Sequence, residues 1–443
     1  EKRRKRKGAV HCEQQEMRCL LNRNPKNDQA VDGFGRLMEL LKACTKQKDL
    51  ENGIKIHATI LESGLFGKEV NYVGSMLIDM YAKCGWLVKA KEVFDNLPVR
   101  DIVSWTALIS GYVRCGHGEV AIMYYEQLQS HGISPNAVTF LCILKACGSI
   151  GAIEKGQQIH AEIVEDGSMR ENVLIATALV DMYAKCGLLV KAQDVFNEIL
   201  VHDVVSWTAL MVGHVQHDHI HGALECFERM QCESVAPNEV AFTCVLKACS
   251  STRANDKGLR IHAMIVKDGL PGEKQNSIGN ALVDMYAKLG ALVKAQQVFN
   301  ELLFHDVVSW NALMAGYVGH GHDKEALCYF QLMHYEGLSP DSFTFVCILK
   351  ACGHTGALEK GKEIHVEIAK EDLLERDIVL GTSLVDMYAE CGALSEAREM
   401  FYLLPIRDVV SWTALMVAFT EYEHGEEAFD CFDRMQCEGI CPN

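Results

Sequence analysis

The chain repeats itself every 102 or 103 residues, and that period limits the folds open to it. The string Leu-Lys-Ala-Cys ends at Cys44, Cys147, Cys249 and Cys352, at intervals of 103, 102 and 103. Asp-Met-Tyr-Ala begins at Asp79, Asp181, Asp284 and Asp386. Val-Ser-Trp carries Trp105, Trp207, Trp310 and Trp412, four of the five Trp in the chain. Self-similarity on this scale marks stacked structural units rather than one closed core, and 443 residues would exceed a single core in any case.

Each period divides into three related units. The first type spans 34–70, 137–172, 239–275 and 342–377; the second spans 71–101, 173–203, 276–306 and 378–408. The third spans 102–136, 204–238, 307–341 and 409–443. Within 102–136, Trp105, Leu108, Ile109 and Tyr112 have the spacing of one buried helical face. Gly116 and Gly118 bracket a turn, and Ala121, Tyr124, Tyr125 and Leu128 supply a second stripe. Gly132 then suits a helix C-terminal cap, with Pro135 beyond it. Each unit therefore predicts a helix hairpin. Only 8 Pro occur, so long helical stretches are permitted, and 49% hydrophobic residues supply a continuous core. The expected fold is all-α: a right-handed superhelical solenoid of about twelve stacked hairpins, without strands and with a long concave surface.

Composition narrows the function classes. The net charge is −16, and removing the +5 of the first seven residues leaves −21 for the rest. An acidic body counts against nucleic-acid binding unless the inner groove differs from the outer surface. The basic run Lys2–Lys7 reads as a nuclear address, an RNA-contacting arm or a solvated tail, and 1–33 as a basic tail or a partial leading repeat. Of the 19 Cys, ten recur in three slots: Cys44, Cys147, Cys249 and Cys352; Cys84, Cys186 and Cys391; Cys142, Cys244 and Cys347. The same Cys in the same helical register reads as a small buried thiol of a reducing compartment, not a disulfide framework. No run of 18 apolar residues predicts a membrane span. The chain begins at Glu1, so any targeting peptide is expected to lie outside it.

The repeated strings resemble the plant pentatricopeptide-repeat family, in the subclass that alternates three unit types. Leu-Lys-Ala-Cys with Ile-His-Ala resembles its long motif, Asp-Met-Tyr-Ala-Lys-Cys-Gly its short motif, and Val-Val-Ser-Trp-Thr-Ala-Leu with a terminal Pro-Asn or Pro-Asp its standard motif. The resemblance covers 34–443. It implies an organellar protein, of mitochondrion or chloroplast, that binds single-stranded RNA and selects a cytidine for C-to-U editing or serves another step of transcript maturation. Editing members carry extension motifs and often a zinc deaminase domain. This chain stops at Asn443 and holds no His-x-Glu with a downstream Cys-x-x-Cys, so no catalysis, metal or cofactor is expected within it; either the end was cut off or the protein never had one, and a deaminase would be attached beyond it or recruited in trans.

In the resembling family a base is read by the fifth residue of a unit together with its last. The standard units then supply Thr106/Asn136, Thr208/Asn238, Asn311/Asp341 and Thr413/Asn443. The short units supply Ser75/Asp101, Thr177/Asp203, Asn280/Asp306 and Thr382/Asp408. A short hydroxyl or amide can meet a Watson–Crick edge, and the partner Asn or Asp selects donor or acceptor. The competing account is helix capping, which these residue types also favour. The long units place Met38, Leu141, Thr243 and Val346 at the fifth position and are expected to space rather than read. The second residue stacks on bases in the family: Val103, Val205, Val308 and Val410 here, with Tyr72, Leu174, Ser277 and Val379 in short units. The alternative for this slot is packing between repeats. Carried over pair by pair, the code spells N-G-A-N-G-A-N-U-U-N-G-A, 5′ to 3′.

Other recurrent residues read as structural. His57, His160, His262 and His365 lie about 102 residues apart and are expected to pack within their hairpins. His214, His217, His219 and His221 fall at a turn and read as solvated; Cys437 and Cys441 form half of a zinc spacing without a second half. Trp105 and its equivalents read as core. Against RNA reading stands a second class, a protein-binding scaffold of the tetratricopeptide kind, which the acidic charge favours and the switching polar pairs do not.

Overall fold

In the computed structural model, residues 30–62, 70–167, 172–252, 254–268, 272–371, 373–374 and 377–442 are described. The basic run Lys2–Lys7 lies outside them. By internal contact the chain falls into two compact units, Glu1–Asp218 and His219–Asn443.

The N-terminal unit holds α1 (Ala30–Gln47), α2 (Leu50–Glu62), α3 (Val70–Lys83), α4 (Leu87–Asp95), α5 (Ile102–Arg114), α6 (Gly118–Ser130), α7 (Ala137–Ile150), α8 (Ile153–Asp166), α9 (Val173–Lys185), α10 (Leu189–Glu198) and α11 (Val204–Gln216). The C-terminal unit holds α12 (Ile220–Cys232), α13 (Glu239–Thr252), α14 (Asn255–Asp268), α15 (Gly272–Lys288), α16 (Leu292–Glu301), α17 (Val307–Gly319), α18 (Asp323–Tyr335), α19 (Ser342–Thr355), α20 (Leu358–Lys370), α21 (Ile378–Glu390), α22 (Leu394–Leu403), α23 (Val409–Glu421) and α24 (Gly425–Cys437). No strand occurs among the described residues. Inside each unit a first helix packs on its hairpin partner and on the first helix of the next hairpin, as α3 does on α4 and α5, and α15 on α16 and α17. Each unit is thus a stack of hairpins, a helical-repeat solenoid with an all-α core. No described helix is long and apolar enough to cross a membrane.

The turns follow from local chemistry. Gly132 (φ 71) closes α6: its N–H donates to Gln129 O and the Ile133 N–H to Leu128 O, the pattern that satisfies the last carbonyls of a helix. Ser234 takes the equivalent place after α12 with φ 58, a left-handed conformation that costs a residue with a Cβ what glycine is spared.

The recurrent residues hold neighbouring hairpins together. Trp105, Trp207, Trp310 and Trp412 are at most 2% exposed, as expected for core. Each ring sits 4.5–4.7 Å from a Phe on the hairpin before it: Phe94, Phe196, Phe299 and Phe401. Cys44, Cys147, Cys249 and Cys352 are fully buried, and burial pushes their thiols up to about 11 or 12, so they behave as small apolar residues. The four histidines also make a contact beyond the expected packing in the hairpin, reaching to the next one: His57, His160, His262 and His365 each place Nδ1 2.8 Å from the hydroxyl of Tyr81, Tyr183, Tyr286 and Tyr388. The spacing within the long unit could not reveal a partner 23 or 24 residues away.

Two outcomes follow from this packing. Trp207→Ala should lower unfolding free energy in urea by about 3–5 kcal/mol, while a loss under about 1 kcal/mol would mean that the slot is not core. Burial, the largest cause, holds all four histidines below the ordinary value of 6.5. A pKa depressed by folding favours the neutral native form, so this stability is complete above 6.5 and is lost as pH falls through 6.5 toward the depressed values. Thermal melts at pH 8 and pH 5 should therefore show an acid-side loss that is smaller in His160→Gln; equal slopes in the two proteins would refute it.

Candidate nucleic-acid interface

The first helices begin at polar residues, and those residues are the last ones of the preceding units. Asp101 accepts from the Ser104 N–H (2.9 Å) at the start of α5, and Asn136 from the Thr139 N–H (2.9 Å) at the start of α7. Asp203, Asn238, Asp306, Asp341 and Asp408 cap α11, α13, α17, α19 and α23 in the same way. Asn443 lies outside the described residues. Capping is therefore real at all seven described last positions. It uses one oxygen, Oδ1, and leaves the Nδ2 of Asn136 and Asn238 and the second oxygen of each Asp outside the cap.

The fifth residues also lie on first helices, those of the standard units one turn beyond these caps. Ser75, Thr106, Thr177, Thr208, Asn280, Asn311 and Thr382 are only 5–9% exposed, and Thr413 is half-buried. Where both members of a pair carry long polar groups they meet. Asn280 Nδ2 donates to Asp306 Oδ1 (3.0 Å) and Asn311 Nδ2 to Asp341 Oδ1 (2.9 Å). Thr106 reaches Asn136 through Thr139: the two threonine hydroxyls are 2.8 Å apart, and Thr139 Oγ1 donates to Asn136 Oδ1. Thr208, Thr382 and Thr413 instead donate to carbonyls of their own helices. Burial would raise Asp341, but hydrogen bonds from Thr344 and Asn311 outweigh it and hold the carboxyl below its usual range. Thr177 Oγ1 and Asn280 Oδ1 are buried without a hydrogen-bond partner. An orphaned buried polar atom costs about 1–3 kcal/mol; the core indole nitrogens of Trp105, Trp310 and Trp412 are buried unpaired in the same way.

Above this polar layer runs an apolar one. The second residues Tyr72, Val103, Leu174, Val205, Val308, Val379 and Val410 are 48–64% exposed, and Ser277 is exposed too. They are not packed between repeats. The long units continue the row with Val138, Val240 and Phe343, also exposed. An apolar residue at the recurrent second position is the sequence signal for these three as well. The fifth residues of long units, Met38, Leu141, Thr243 and Val346, are buried or half-buried.

Four and eight residues beyond the fifth position, on the same helical side, lies a charged row that whole-chain charge concealed. In the N-terminal unit it carries Lys42, Lys46, Lys83, Arg114, Lys145 and Lys185 against only Asp79 and Asp181. This face is basic on a chain of net charge −16. In the C-terminal unit Lys247, Lys288 and Lys350 stand against Asp284, Asp386, Glu390 and Glu421.

The histidine group does not form a ligand set. His214 lies within α11 and His221 within α12, with His217 and His219 exposed at the helix ends. Among the described residues no three His, Cys, Asp or Glu are placed to hold a metal, and Cys437 and Cys441 are exposed.

Fold and face together define a hairpin-repeat protein presenting, hairpin after hairpin, an exposed apolar side chain over a capped polar position. A family model described as the PPR repeat family matches 100–149, 202–251 and 305–354, and one described as PPR repeat matches 75–102, 175–204, 280–307 and 410–440. A chloroplastic pentatricopeptide repeat-containing protein of Arabidopsis thaliana is 35% identical over 90% of this chain and 64% of its own length. A mitochondrial one from the same plant is 32% identical over 91% of this chain and 58% of its own. Among solved structures, the pentatricopeptide repeat protein PPR10 in complex with an 18-nt psaJ RNA element matches 99% of this chain and 67% of its own at a TM-score of 0.71 and 16% identity. The chain belongs to the pentatricopeptide-repeat family. It spans less than two thirds of the length of either of these two curated relatives.

The caps make a stability prediction separate from any ligand. Asp203→Ala should cost about 1 kcal/mol in urea unfolding and Asp203→Asn a few tenths at most, since Asn keeps the Oδ1 acceptor. Equal losses in the two variants would show that the cap contributes nothing.

Proposed function

We propose that the chain binds single-stranded RNA, one base per repeat, in the sequence N-G-A-N-G-A-N-U-U-N-G-A, and that it directs C-to-U editing or another maturation step of an organellar transcript. The unit order is that of the subclass alternating long, short and standard motifs, over the boundaries derived above. The observation that carries the reading is the set of exposed apolar second residues in seven of the eight short and standard units, over polar fifth residues. An apolar flat can stack on any base, while the buried pair beneath can meet one base edge. The two orphaned acceptors, Thr177 Oγ1 and Asn280 Oδ1, support it because a base edge would satisfy them. The basic row of the N-terminal unit supports it because it offers cations to phosphates along the same helices. The relatives named chloroplastic and mitochondrial support an organellar site of action, and the RNA in the PPR10 complex supports RNA as the class of ligand. The chemistry of editing would come from a deaminase, attached beyond these repeats or recruited as a separate protein.

Asn136→Asp tests the reading. It keeps the Oδ1 cap of α7 and changes the pair Thr106/Asn136 to one with a carboxylate. Preference at the third nucleotide alone should move from adenine to guanine by roughly 1–2 kcal/mol, by analogy with base discrimination in DNA. Binding of both proteins to both RNAs at one salt concentration measures it. Equal loss of affinity for the two RNAs would reduce these residues to caps, and no binding above a scrambled RNA would favour the protein-binding scaffold.

A further inference from the structure

Three short units share a charged pair that the fourth has lost. Lys83 Nζ lies 2.6 Å from Asp79, Lys185 Nζ 2.6 Å from Asp181, and Lys288 Nζ 2.8 Å from Asp284. In the last short unit Asp386 recurs, but Glu390 stands where the lysine should. The standard units change in the same direction at the same position, from Arg114 through Gln216 and Gly319 to Glu421. Asp386, Glu390 and Glu421 line one recess of the C-terminal unit together with Val410 and Thr413, a second and a fifth residue. No ion pair among the described residues neutralises any of the three. Burial, with Glu390 adding, pushes Asp386 up to about 6, whereas Asp79, Asp181 and Asp284 each have their lysine beside them. Burial raises Glu390 as well, although His354 and Lys350 oppose it.

The geometry points to a specificity role for Glu390: with Asp386 and Glu421 it uncouples the last short and standard repeats from RNA readout, so that sequence is read by the repeats before them. This rests on the RNA reading proposed above. A base edge is discriminated only when its nucleotide is docked on the face, and docking brings the phosphate charge against whatever the ninth and thirteenth residues carry. Where these are an Asp neutralised by Lys, the phosphate meets no net repulsion. Where they are Asp386, Glu390 and Glu421, it meets three exposed carboxylates gathered at one recess, and like charges at that spacing repel it. Stacking on Val410 and the contacts of Thr413 must work against that repulsion.

The chain contains its own control. Thr177/Asp203 and Thr382/Asp408 are the same reading pair, expected on guanine at the fifth and eleventh nucleotides, but the first has Lys185 two turns along its helix and the second Glu390. Fluorescence anisotropy of the full chain with the twelve-nucleotide RNA, and with guanine changed to adenine at either place, separates the two. For the wild-type chain the change at the fifth nucleotide should lower affinity roughly tenfold and the change at the eleventh less than about twofold. Glu390→Lys should raise the effect at the eleventh to several-fold and steepen the salt dependence, and Lys185→Glu should erase discrimination at the fifth. Glu390→Lys installs the residue the other three short units carry, so folding is not threatened, and circular dichroism and a thermal melt verify it. Equal discrimination at both nucleotides in the wild-type chain, or no change in Glu390→Lys, overturns the inference and leaves RNA reading intact. Failure to bind any of these RNAs above a scrambled control overturns RNA reading itself, and the inference with it.

Discussion

The close approach of successive first helices governs the rest of the structure. Gly111, Gly213 and Gly316 lie directly on Ala82, Ala184 and Ala287 of the preceding short units, and a Cβ on any of these glycines would strike the alanine. Missing side chains on one helix and methyl groups on the other let two backbones pack almost without intervening atoms. The Trp–Phe contacts tie these first helices to the second helices of the preceding hairpins. Because this spacing recurs, side chains at one position of each unit fall into rows, and a row is what a polymer ligand can follow.

The reading pairs show how one residue serves two ends. Asp203 and Asn136 start helices, yet each cap uses a single oxygen. The second polar atom contributes nothing to the cap, and the proposed RNA reading would assign it to recognition. Folding thus fixes the orientation of the group before any ligand arrives, which reduces the ordering cost of binding. The unpaired atoms of Thr177 and Asn280 are the opposite side of this arrangement: they weaken the fold at the same positions.

Charge is distributed by row rather than by chain. A sum of −16 argues against a polyanion, but Lys42, Lys83, Arg114, Lys145 and Lys185 share the side of the helices that carries the fifth residues. The acids excluded from that side lie elsewhere on the hairpins, as Glu126, Glu228 and Glu363 do on second helices, each paired with a lysine. The C-terminal repeats break this segregation at Asp386, Glu390 and Glu421, so equivalence of sequence motifs does not imply equivalence of the faces they build.

The sequence by itself determined the hairpins, their order and their core. Periodicity of 3.6 residues, Gly132-type turns and the Trp, Cys and Leu stripes are local or strictly repeated signals, and each reports a side chain's position on its own helix. It also marked the second, fifth and last residues, through resemblance, without showing how they are disposed. Tertiary structure decided that the second residues are exposed rather than packed between repeats, that Val138, Val240 and Phe343 extend their row, that the four histidines bond tyrosines of the following hairpin, and that three carboxylates converge beside Val410 and Thr413. All of these depend on the distance and rotation between neighbouring hairpins. A single helix carries no record of either, because contacts between two surfaces are set by how closely the backbones pack.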